Sequence, residues 1–196
     1  MLKAQADIVS AVIIVLIALS LTSAALIWGL PLIQKRQDSA MVARVSNLLS
    51  HELPSKIARV ANVGGHESFT IDTNGVWALD ENKNTLSFTF FSKSSDKATG
   101  MWIGGGECQP DGFNGQPGIL GSDEPCVVCV RADQVESGYN IIYQIGCREL
   151  KTETNSYKIQ LKSTGVTTST SKTIKISRGA LTTEDKLIIT QIEILL

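Results

Sequence analysis

Apolar residues fall along this chain in three successive patterns. From Ile8 to Ile33 no side chain is charged, and only Ser10, Ser20, Thr22, Ser23, Gly29 and Pro31 break the run. Coiled as a helix, that stretch would reach about 39 Å. The hydrocarbon core of a bilayer is about 30 Å thick, so the segment is long enough to cross it with some tilt. From Asp38 the pattern becomes one-sided. Val42, Val45, Leu49, Leu53, Ile57 and Val60 recur at steps of three and four, the stripe of an amphipathic helix. Asp38 or Ser39 can cap a new turn or sit within a continuous rod. Pro31 and Pro54 cannot donate to the helical ladder and are expected to kink or interrupt it, and Gly64-Gly65 is the natural stop. The expectation is one rod from about residue 8 to 62, wholly apolar first and amphipathic second.

The third pattern, from residue 66 to the end, is of short β-rich runs separated by turn residues. Ser68–Asp72 and Val76–Asp80 flank Thr73-Asn74-Gly75, which reads as a hairpin because Asn-Gly accepts positive φ. Further strands are expected over Thr85–Ser92, Cys126–Arg131, Tyr139–Gly146, Ser156–Lys162, Thr173–Ser177 and Lys186–Leu195. This many short strands point to an antiparallel sandwich or rolled sheet. The fold class is therefore α+β, with a long N-terminal hydrophobic helix (1–64) followed by an antiparallel, sandwich-like β-domain (66–196). The closing run from Leu187 to Leu196 is too apolar for a free tail and reads as a central strand against the amphipathic half of the rod. Thr99–Pro125 is a long loop rich in Gly and Pro, including Gly104-Gly105-Gly106 and Pro110. Loops of that length are usually functional or pinned. Ser163–Thr173, mostly Ser and Thr, reads as an exposed turn or edge strand, with O-glycosylation as the alternative.

Charge narrows the function classes. With 18 Lys and Arg against 19 Asp and Glu, there is no electrostatic case for a nucleic-acid partner. Lys3 precedes the apolar run and Lys35-Arg36 follows it, so the positive-inside rule gives no orientation. The run exceeds the apolar length of a secretory signal and ends without a small-residue cleavage site, so it is read as retained.

Cys108, Cys126, Cys129 and Cys147 are separated by 18, 3 and 18 residues. A four-cysteine zinc site wants two short-spaced pairs on turns. Only Cys126-Val127-Val128-Cys129 is short, and its Val-Val interior reads as strand. In a strand, an offset of three sends the two sulfurs to opposite faces, so they should have different partners. Two disulfides are preferred over a metal site or free thiols. Three connectivities are possible, and Cys108–Cys126 with Cys129–Cys147 is the one favoured. Disulfides imply an oxidising compartment or a hyperthermophile, which with the apolar N-terminus puts the β-domain outside the cell.

Catalytic chemistry is sparse. The Gly104–Gly106 cluster lacks the Lys-Ser/Thr of a phosphate loop, and no G-x-S-x-G elbow occurs. The only histidines, His51 and His66, sit on or just after the rod and read as surface residues. Asp123-Glu124 and Glu184-Asp185 read as solvated turns. Trp28 reads as an interfacial or helix-packing aromatic, and Trp77 and Trp102 as core. The chain is expected to be no enzyme and to hold no cofactor or metal.

The N-terminal residues Lys3-Ala4-Gln5-Ala6-Asp7-Ile8-Val9-Ser10-Ala11-Val12-Ile13-Ile14-Val15-Leu16, continuing through Pro31 to Lys35-Arg36, give the chain a family likeness. A long apolar, then amphipathic helix ahead of a β-domain resembles the type IV pilin superfamily, and in detail the archaeal type IV pilins and archaellins. The resemblance implies a short basic leader removed by a prepilin peptidase, which here places the cut between Ala4 and Gln5. It also implies an assembly ATPase and membrane platform as partners. Where bacterial pilins carry a Glu near the mature start, the nearest acidic residue here is Asp7. The implied assembly helix includes Ile8, Val12, Val15, Leu16, Leu19, Leu26, Trp28, Leu30 and Pro31.

The physics of the run gives that likeness a function. In the membrane the helix is satisfied by lipid, and in a filament by copies of itself, with Ala, Ser and Gly letting backbones approach. Exposed to water, about 15 large apolar side chains at ~2 kcal/mol each would cost on the order of 30 kcal/mol. A rod of this kind belongs in lipid or in a polymer. One heterologous contact repeated without closure makes a helical fibre. The chain is thus expected to be the major subunit of an extracellular archaeal pilus-like filament, a self-polymer used for adhesion, and to lie in the plasma membrane before assembly. The alternatives are an archaellin-type motility subunit or a membrane-anchored minor component of a secretion or uptake machine.

Overall fold

The computed structural model describes residues 2–104, 108–109 and 112–196, with side chains from residue 11 onward. The expected features at Gly105, Gly106 and Pro110 lie outside the described residues. The chain divides into two compact units, Met1–Asp38 and Ser39–Leu196. Helix α1 (Leu2–Asn47) supplies the first unit and the opening residues of the second. Pro31 sits inside it, so the expected interruption there does not occur. A π-helical turn, Leu48–Glu52, then leads into α2 (Leu53–Val63), which carries Pro54 in its first turn. At Gly64 φ is +87° and the amide closes on the Val60 carbonyl at 2.9 Å, ending the helix where the two glycines predicted it.

The amphipathic stripe is buried along its whole length: Val42, Val45, Leu49, Leu53, Ile57 and Val60 all lie in the core. The π-turn explains how. Three successive steps of four residues would rotate an ideal α-helix by about 40° each. The i→i+5 bond from the Leu53 amide to the Leu48 carbonyl absorbs the excess, so Leu49 and Leu53 stay on one face.

Thirteen strands follow among the described residues: β1 (His66–Thr70), β2 (Val76–Asp80), β3 (Thr85–Ser92), β4 (Cys108–Gln109), β5 (Gly112–Phe113), β6 (Gly118–Ile119), β7 (Cys126–Val135), β8 (Gly138–Cys147), β9 (Glu149–Lys151), β10 (Ser156–Ser163), β11 (Thr168–Ser169), β12 (Thr173–Glu184) and β13 (Leu187–Leu195). They form a six-stranded sheet, β1-β12-β13-β10-β9-β6, a five-stranded sheet, β11-β2-β3-β8-β7, and the small ribbon β4-β5. The domain is α+β and mostly antiparallel. It departs from the wholly antiparallel expectation because β10 and β13, and β6 and β9, pair in parallel. β13 is an interior strand with Ile192 and Ile194 buried, and α2 lies against it, as the apolar C-terminus implied.

The Asn74-Gly75 hairpin does not form. β1 pairs with β12, while β2 pairs with β3 and β11 in the other sheet. Buried Ile71, whose amide donates to the Lys172 carbonyl at 2.8 Å, starts a crossing between sheets. Gly75 serves close approach: a Cβ there would collide with the Phe88 ring. One continuous core joins the stripe to inward side chains of both large sheets, with Trp77 at its centre between Phe69 and Phe88. Buried Asn84, at φ +55°, stitches the sheets together. Its amide donates to the carbonyls of Cys147 (2.6 Å) and Ile159 (2.7 Å), and its oxygen accepts from the Leu161 amide (2.7 Å). Trp102, expected in the core, is instead half-buried with the Arg131 guanidinium 5.1 Å from its ring centre.

The compact unit begins at Ser39, whereas the sequence placed the boundary at 64–66. The reason is the stripe: once its six apolar residues fill the core, the amphipathic half of the rod belongs to the β-domain.

Candidate functional site

The apolar segment of α1 is the leading candidate. Among the described residues one helix is long and apolar enough to cross a membrane, and its most apolar window has mean hydropathy 2.5 with none of it buried. Val12, Ile13, Ile14, Val15, Leu16 and Ile17 are consecutive, so they point in every direction around the axis, and each is 50–64 % exposed. Leu19, Leu26 and Leu30 are exposed likewise, and Trp28 is 81 % exposed. The helix is therefore apolar all round rather than on one stripe. Two of its hydroxyls turn back onto the helix. Ser20 donates to the Leu16 carbonyl and Thr22 to the Ala18 carbonyl, each at 2.8 Å, so both are satisfied inside the helix. Pro31 is carried within the helix and lacks the amide that the Ile27 carbonyl would accept. Lys35 and Arg36, both exposed, mark the charged end of the run. The side chains of Ala4, Gln5 and Ile8 lie outside the described residues.

The four cysteines form two disulfides, and their pairing differs from the favoured one: Cys108 joins Cys129 and Cys126 joins Cys147. The cause is the β7–β8 hairpin. These strands turn over Glu136-Ser137, which brings Cys126 directly opposite Cys147 with Cα atoms 4.0 Å apart. Cys126 and Cys147 face the core. Cys129, opposite Gln144, faces the other side, where Cys108 reaches it from the long loop. The expectation that an offset of three separates the two sulfurs therefore stands. The signal for the correct pairing was present: 126 and 147 are equidistant from the turn before Gly138. Ending the strand at Arg131 hid it. The Gly-rich loop is pinned as expected, by Cys108–Cys129 and by backbone bridges of Thr99 and Ile103 to β7.

His51 and His66 are exposed and stand apart on the π-turn and β1. Asp123 is more than a solvated turn residue. Its carboxylate accepts from the Ile119 amide at 2.7 Å and lies 3.9 Å from the guanidinium of buried Arg148. Glu67 forms a two-point ion pair with Arg59, which holds its carboxyl below the usual range and raises the guanidinium. Among the described residues no three His, Cys, Asp or Glu side chains converge as metal ligands. Comparison with known protein families, curated proteins and solved structures returns no match.

Proposed function

We propose that the protein is the major structural subunit of an extracellular, archaeal type IV pilus-like filament, held together by its N-terminal apolar helix and used for adhesion. The observation that carries this reading is the helix from Ala11 to Ile33, apolar on every side, with the Ser20 and Thr22 hydroxyls satisfied inside it. A surface of that size exposed to water is far beyond what soluble monomers carry. Lipid satisfies it before assembly, and neighbouring copies satisfy it afterwards. Lipid and Leu are comparably apolar, so transfer from one to the other keeps the hydrophobic burial. The gain comes from close packing, for which Ala18, Ala24, Ala25 and Gly29 leave room.

The Ser39–Leu196 unit supplies what the outside of such a fibre needs: an independent core and two covalent crosslinks. We read its two large sheets around one core as sandwich-like. The crosslinks suit an oxidising exterior. The pilin likeness adds removal of the leader between Ala4 and Gln5 and assembly by an ATPase and membrane platform.

Leu16→Lys or Val15→Asp in the full chain puts a charge on the apolar surface. Electron microscopy of cell-surface preparations is expected to show filaments built mainly of the unaltered chain and none from either variant. Circular dichroism should meanwhile show the Ser39–Leu196 unit folded in both. Normal fibres from either variant, or a chain found only as a dispersed membrane anchor, would overturn the reading.

A further inference from the structure

We propose that Asn74 is a site of spontaneous deamidation, in which the Gly75 amide closes on the Asn74 side chain, and that the fold shields the other Asn-Gly pair, Asn114-Gly115, from the same reaction. This stands independently of the function proposed above. An asparagine is most labile when glycine follows it, because no Cβ obstructs the approach of the next amide nitrogen to the side-chain carbonyl carbon. Two such pairs occur in the chain.

In a tight hairpin, Asn74-Gly75 would be held by a strand ladder on both sides. That hairpin does not form, and residues 72–75 are an irregular link between the two large sheets. The link is anchored at its ends. The Ile71 amide donates to the Lys172 carbonyl, Arg44 pairs with Asp72 at 2.9 Å, and Val76 stands opposite Thr89 in the β2–β3 ladder. Between those anchors Asn74 is exposed, and among the described residues its side chain has no partner. The Gly75 amide likewise donates to no backbone carbonyl among the described residues. Both residues border an open recess of about 510 Å³, so water reaches the two reacting groups. Packing also dictates the labile pairing. A Cβ at position 75 would collide with the Phe88 ring and the Thr89 carbonyl, so the core itself demands glycine after Asn74.

The other asparagines with small neighbours are restrained. The Asn114 side-chain oxygen accepts from the Gln116 amide at 2.9 Å, and its side-chain nitrogen is buried, away from water. Asn155 precedes Ser156, whose amide is committed to the Lys186 carbonyl at 2.8 Å. Asn62 and Asn140 precede Val63 and Ile141, whose branched side chains obstruct the approach.

In the reaction, the Gly75 nitrogen gives its proton to hydroxide and bonds to the Asn74 Cγ as the Cγ–Nδ2 bond breaks. The leaving nitrogen takes a proton from water and departs as ammonia. Water then opens the cyclic imide. Attack at Cγ leaves aspartate, and attack at the backbone carbonyl leaves isoaspartate, with the chain running through the former side chain. Nothing is oxidised or reduced. Either product adds a negative charge to the link, two residues from Asp72.

Trypsin cuts after Arg59 and Lys83, and after Lys97 and Arg131, so the two Asn-Gly pairs fall in separate peptides. The full-length protein in detergent is held warm at mildly alkaline pH, then reduced, digested and weighed by mass spectrometry. Peptide 60–83 is expected to shift by the exchange of an amide NH2 for OH, and an isoaspartate methyltransferase should label it. Peptide 98–131 should keep its mass. When the chain is first reduced and unfolded in guanidinium, both peptides should shift. Asn74→Gln should abolish the shift in peptide 60–83 while leaving the circular dichroism unchanged. Three outcomes would overturn the inference: a folded chain whose peptide 60–83 keeps its mass while the unfolded chain shifts, a shift that survives Asn74→Gln, or Asn114 reacting as fast as Asn74 in the folded protein.

Discussion

Tyr143 shows how one side chain's setting becomes a measurable property. It is fully buried, stacked on Phe90 with ring centres 6.3 Å apart, and its hydroxyl makes no hydrogen bond of good geometry. Burial raises its pKa above the ordinary phenol value, and the Ser46 hydroxyl and Lys97 charge draw it only partly back. Because the folded pKa is the higher one, this contribution to stability is fully present below the unfolded pKa of about 10. It declines as pH rises through that range toward the folded value, since the unfolded chain releases its proton first. Tyr143→Phe should therefore flatten the alkaline limb of stability, measured as urea midpoints between about pH 8 and 11. At neutral pH it should cost little, because it removes a buried polar atom that lacks a partner. Asn84 is the opposite case: each polar atom of its side chain is matched, and what it holds together is two sheets. Nothing around Asn84 in the sequence announces this, because its partners lie 63 to 77 residues away.

At the level of elements, patterns confined to one segment were legible and pairings between segments were not. The stripe from Val42 to Val60, the stop at Gly64, and strands β2 and β3 follow directly from periodicity and turn residues. The π-turn was not foreseen, although three steps of four residues required some local widening. The Thr73–Gly75 link looked like a hairpin because Asn-Gly is the local signature of one. The burial of Ile71, a tertiary fact, sends the chain to the other sheet instead. The disulfides make the same point. Each encloses a sequence separation of 21 residues, worth about 3 kcal/mol by loop-closure entropy. Non-reducing peptide mapping should recover Cys108 with Cys129 and Cys126 with Cys147. Replacing Cys126 and Cys147 together by Ser should lower the urea-unfolding free energy by about that amount, with the fold retained.

For the whole molecule, the two units carry different jobs. The first, Met1–Asp38, contributes an exposed apolar surface, and the second, Ser39–Leu196, buries its own. Truncation tests this division. A fragment of residues 39–196 should fold and melt cooperatively in detergent-free buffer. A fragment of residues 66–196 should not, because it loses the six stripe residues from the core at about 1.5–3 kcal/mol of burial each. Thermal melts by circular dichroism distinguish the two. What the sequence alone determined is the apolar helix, the amphipathic stripe and the existence of most strands, because each depends on the spacing of neighbouring side chains along one segment. Only the tertiary structure decided which strands pair, in which sense, which cysteines meet, and that the stripe belongs to the β-domain. Those outcomes depend on which distant surfaces exclude water together, and chain spacing carries no record of that choice.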